Sequence, residues 1–138
     1  MKNTNAFNYI LGVSMFMFGV LKFVDPFKTW YYTQISESNM SMNFYYLGIF
    51  SEILTGVVFL IVTLFKNNFP QKMIQYVTLL ASTLVVCIMI VAIYVHLQPH
   101  VPAEVLPLKI KPPVIPIMFI CVAMSNIYII RRTERSAE

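Results

Sequence analysis

Apolar residues gather into four long runs, at residues 6–24, 44–65, 73–97 and 113–130. Each is long enough, or nearly so, to cross a bilayer, which takes about 20 mainly apolar residues. Hydrocarbon offers no partner to a peptide group, so a spanning backbone must satisfy its own hydrogen bonds, and all four runs are predicted to be helices. The pattern predicts an all-α integral membrane protein, a four-transmembrane-helix bundle forming one domain over residues 1–138. The first run is expected to stay in the protein. It carries Lys22, and no small-x-small cleavage site follows before Asp25 and Pro26.

The links differ in character. Asp25 and Pro26 suit an N-cap and a first-turn proline, so a short helix or re-entrant piece is expected at the interface after the first span, with Trp30, Tyr31 and Tyr32 at headgroup level, either as an anchor or as a gate over a pocket. KNNFPQK reads as a tight turn between spans two and three. The third link is proline-rich: six of the eight prolines fall within residues 96–116, and they forbid a continuous helix there. A short helical turn starting at Pro102 remains possible. Pro113 and Pro116 fit the first turn of the fourth span, where backbone N–H groups have no intrahelical partner.

Composition agrees with this reading. The chain is 58% hydrophobic and 12% charged, too apolar for a soluble domain of this size. The placement of cations says more than the net charge of +4. Lys2, Lys66, Lys72, Arg131, Arg132 and Arg135 fall at the ends that would share one side, whereas only Lys28, Lys109 and Lys111 fall in the other links. This asymmetry predicts both termini in the cytoplasm. The basic tail is a topology signal, able to touch anionic lipid, and no nucleic-acid partner is expected. Cys87 and Cys121, in mid-span and without a CxxC motif, are expected to be small buried apolar side chains.

Three ionisable residues stand where charge is costly: Lys22 near the end of the first span, Glu52 in the second and His96 at the end of the third. At 1.5 Å per residue, Glu52 lies about 12 Å below the start of its helix and Lys22 about 3 Å below its own end. All three belong to the same half of the bundle. Gly48, Glu52 and Gly56 share a helix face, so the first two spans are expected to pack closely with Glu52 near the seam. Lys22 is its expected partner, and a proton is the other option. A structural ion pair, a ligand or quinone pocket, and a snorkelling Lys22 all fit. His96 could hydrogen-bond near Glu52 or lie solvated at the interface. His96, His100 and Glu104 are spaced by four, but Pro99 and Pro102 break the helix that would align them, so no metal site is expected. No phosphate loop, serine nucleophile motif or haem attachment sequence is present, and catalytic residues cannot be named.

These residues resemble the DoxX-like family of small four-helix bacterial membrane proteins. The resemblance rests on G-x-x-K-F at Gly19, Lys22 and Phe23, on Ser51-Glu52, on the histidine ending span three, and on VHLQPHVPAEVLPLKIKPP. It implies a location in the bacterial cytoplasmic membrane, picks out Lys22, Glu52 and His96, and implies either a link to quinone-coupled redox or an assembly role. The expected function is an accessory membrane protein with an outward-facing intramembrane pocket for a quinone-like or lipid-like ligand, touched by Lys22, Glu52, His96, His100 and Glu104. Such a protein is at most a subunit of a quinone-linked oxidoreductase. The alternative is a non-catalytic assembly or interaction subunit, with another membrane protein, a secreted protein or a second copy as its partner. A small transporter fits less well, because four helices leave a narrow path.

Overall fold

The computed structural model describes residues 2–135, apart from the side chains of Lys2, Asn3 and Glu134. Five α-helices follow in order: α1 Lys2–Leu21, α2 Phe27–Ser36, α3 Asn43–Leu64, α4 Gln71–Leu97 and α5 Val114–Arg135. Among the described residues there is no strand. Helices α1, α3, α4 and α5 are long and apolar enough to cross a membrane, so the protein is a multi-pass membrane protein built on a four-helix bundle. The start of α1, the end of α5 and the tight Lys66–Asn68 turn lie at one end of it. The short helix α2 and the proline-rich link lie at the other, here called the loop end.

The helices pack in a ring, with α1 against α3 and α5, and α4 against α3 and α5. Their shared core includes Leu11, Met15, Phe59, Val85, Met89 and Ala123. A second core sits under the loop end, where Ile35 of α2 meets Val95, Val101 and Leu106. Gln34 Nε2 donates to the Val105 carbonyl. The Lys111 ammonium donates to the carbonyls of Gln98, at 2.6 Å, and Val101. These bonds tie the link down over the end of α4.

Several boundaries depart from expectation. Helix α1 stops at Leu21, three residues short of the expected end, and Phe23 and Val24 donate back to Val20 and Leu21 in tighter turns. A residue before proline disfavours the helical region, so Asp25 ends the run early. Asp25 is also not the N-cap of α2. Pro26 takes that place, with Asp25 Oδ1 accepting from the Thr29 hydroxyl at 2.7 Å. Helix α3 starts one residue earlier than expected and α4 two. Helix α5 begins at Val114, with Pro113 just ahead of it and Pro116 in its first turn. It continues past residue 130, so Arg131, Arg132 and Arg135 lie on its last turns rather than in a tail. Cations there complement the negative end of the helix dipole. The turn expected near Pro102 is present as Ala103–Val105.

Cys87 and Cys121 are exposed rather than buried. In a bilayer the outer face of a bundle is as apolar as its core, so a mid-span cysteine carries no signal of facing inward. Polar groups occupy the interior instead. Asn126 Nδ2 donates to Asn8 Oδ1 at 2.6 Å and to Ser82 Oγ at 3.3 Å, and Asn8 Nδ2 donates to Thr78 Oγ1 at 3.5 Å. This knot joins α1, α4 and α5 and is fully buried. Interhelical polar bonds in membranes average roughly 0.6 kcal/mol, with a maximum near 1.7. Asn126→Leu removes two of them and strands the Asn8 carbonyl. It is expected to destabilise the bundle by about 1–2 kcal/mol in detergent unfolding, and an unchanged midpoint would show that the knot contributes nothing.

Candidate functional site

Lys22 and Glu52 meet. Gly19, one turn before Lys22, faces Glu52 and Ile53 across the α1–α3 seam. Lys22 therefore emerges just above Glu52, and its stem turns down to bring Nζ within 2.6 Å of Glu52 Oε2. Glu52 is only 7% exposed, so a bare carboxylate would be costly there. Its other oxygen, Oε1, has no hydrogen-bond partner among the described residues.

A third group completes the arrangement. The Lys22 ammonium lies 3.7 Å from the centre of the Tyr31 ring, a cation–π contact strengthened by the low polarity of its surroundings. Tyr31 was expected at headgroup level. It is turned inward instead, stacked on Tyr45 with 5.1 Å between ring centres. Its hydroxyl donates to the Phe44 carbonyl at 3.3 Å and lies where a side chain on Gly48 would collide with it. Burial, and after it the Glu52 carboxylate, holds the Tyr31 phenol well above the usual tyrosine range. It stays a neutral hydrogen-bond donor at any physiological pH.

These groups form part of the wall of a cavity of about 710 Å³ in the loop-end half of the bundle. Its size falls within the range typical of small-molecule sites. His96 lines it and is 4% exposed. Its Nδ1 donates to the Ala92 carbonyl at 2.9 Å, one turn back on its own helix, rather than bonding Glu52. With that proton on Nδ1, a neutral ring would offer Nε2 as an acceptor. His100 and Glu104 do not join this group. Helix α4 ends at Leu97, His100 falls in the following turn, Glu104 lies in the Ala103–Val105 turn, and both are exposed. Among the described residues, no three His, Cys, Asp or Glu side chains gather where they could hold a metal ion.

Reasoning from sequence offered the Tyr31 segment as a gate over a pocket but did not name Tyr31 or Gln34 as site residues, and both line the cavity. A signal for them exists. Phe27, Trp30, Tyr31, Gln34 and Ile35 line the cavity together, and their i, i+3, i+4, i+7, i+8 spacing is that of one helix face. It shows α2 to be a cover with an inner side rather than a flat anchor. No family model, no curated protein and no solved structure matches this chain.

Proposed function

We propose that the loop-end cavity binds the neutral polar head of a membrane-soluble, quinone-like amphiphile, and that the protein is an accessory subunit of DoxX-like type in a bacterial cytoplasmic membrane. The observation that carries this reading is the Lys22–Glu52 pair on the cavity wall beside Tyr31. The pair has no net charge. Lys22 keeps N–H donors beyond the one given to Glu52, while Glu52 Oε1 and His96 Nε2 are acceptors. A head that offers carbonyl oxygens when oxidised and hydroxyls when reduced can use both kinds. A phosphate head would face a cation already neutralised by Glu52. Lys66, Lys72, Arg131, Arg132 and Arg135 cluster at the end away from the cavity. By the positive-inside rule this supports cytoplasmic termini and an outward-facing cavity.

Trp30 is the chain's single tryptophan and lines the cavity, so its fluorescence reports an occupant directly. A short-tailed benzoquinone is expected to quench it saturably. The reduced quinol, whose hydroxyls can donate to Glu52, is expected to displace the quinone. Hydrogen bonds to charged groups contribute about 1.5–3 kcal/mol, so Glu52→Gln is expected to weaken the quinol roughly tenfold or more. Equal displacement by quinol in wild type and Glu52→Gln would sink the assignment of Glu52.

A further inference from the structure

We infer that the cavity continues as a slot between α3 and α4 that opens sideways into the bilayer, so that the ligand is a single-chain amphiphile delivered through the membrane. This rests on the head-group reading above and adds to it where the chain lies and how the ligand enters.

The walls of the cavity are polar on one part and apolar on another. Lys22, Glu52, Tyr31, Gln34 and His96 make the polar part. Further along α4 the lining becomes Val91, Ile88, Cys87 and Leu84. Leu84, Ile88, Val91 and Val95 are spaced by four, three and four, so they form one continuous flank of the helix. On α3 the lining includes Leu47, Gly48 and Ser51. From His96 to Leu84 this wall runs about 18 Å at 1.5 Å per residue, over half of a hydrocarbon core roughly 30 Å thick.

Exposure shows that the slot is open. Leu47 is 57% and Leu84 36% exposed, although both line the cavity. The interior wall therefore runs without a break into the surface that meets lipid. Phe27, Phe44 and Leu108 also line the cavity at the loop end and are exposed, while the Lys111 and Gln34 bonds and buried Val101 and Leu106 hold the link itself in place there. Phe18 of α1 and Ile115 and Pro116 of α5 line the other sides, and the single apolar flank of α4 suits one chain rather than the two of a phospholipid. A chain leaving the bilayer for this slot gains no hydrophobic energy, because both surroundings are apolar. It gains dispersion contacts and a fixed head, so the slot governs route and selectivity more than affinity.

The test uses the full chain in liposomes and a benzoquinone with one saturated tail bearing a diazirine near its end. Trp30 quenching reports the head, and the adducts formed on illumination report the tail. The expected result is quenching together with adducts on α4 around Leu84, Ile88 and Val91, or on α3 around Leu47 and Ser51. Excess unlabelled tailed quinone should reduce these adducts at least about tenfold, as expected for a saturable site. Quenching without displaceable adducts, or with displaceable adducts only on other segments, overturns the slot and leaves the head site standing. No quenching and no displaceable adduct overturns both.

Discussion

Replacing Lys22 by Met is expected to cost about 3–5 kcal/mol of bundle stability, the usual penalty for breaking a buried pair and leaving one charge without compensation. Glu52 would lose the ammonium 2.6 Å away, and no other hydrogen-bond partner is in place among the described residues. The double variant Lys22→Met/Glu52→Met should recover most of that loss, since apolar replacements of a buried pair are often neutral or stabilising. Unfolding in mixed micelles followed by Trp30 fluorescence measures both. A single variant as stable as the parent would show that the pair is not desolvated. Charge reversal, Lys22→Glu/Glu52→Lys, then separates the two functional readings. A clasp needs only opposite signs and should regain stability and function together. A ligand site needs the donor over Tyr31 and the acceptor beside it in their own places, so stability should return while quinone quenching stays lost.

Gly56→Ala is the second large expected effect. A β-carbon there would sit 2.5 Å from the Phe16 backbone nitrogen and 2.7 Å from its α-carbon. A side chain can rotate away from an intruder, but the backbone of a packed helix cannot. The α1 axis must move, and overpacking of this kind typically costs 1–3 kcal/mol, occasionally more. The same seam sets Lys22 against Glu52, so the damage should spread to the site. The expected result is a lower unfolding midpoint together with weakened quenching by the short-tailed quinone. A midpoint unchanged within error would mean that the two helices are not in close contact at Phe16.

The spans were legible because a bilayer reads length and hydropathy almost alone. Lys22 and Glu52 were legible for a related reason: charge inside hydrocarbon demands a partner, and depth arithmetic from the helix ends left one candidate. Features set by direction rather than depth were harder to read. The inward face of α2 lay hidden among aromatic rings that suit a headgroup layer equally well. The exposure of Cys87 and Cys121 could not be read because both sides of a spanning helix are apolar. Proline placement decided the case of His100 and Glu104. Their spacing from His96 suggests one helix face, but the helix ends at Leu97 and both side chains point into the open. The Asn8–Asn126 knot had a usable signal in two amides within apolar runs, since such side chains seek partners across helices.

The pairing of Lys22 with Glu52 also bears on how the site meets an electric field. A lone charge inside a membrane responds to the transmembrane voltage with about 2.3 kcal/mol per 100 mV for a full crossing. The ammonium and carboxylate lie 2.6 Å apart and move as one neutral unit, so the voltage does almost no work when the pair shifts or when a neutral head binds beside it. For the proposed neutral ligand, affinity is therefore expected not to respond to the membrane voltage itself.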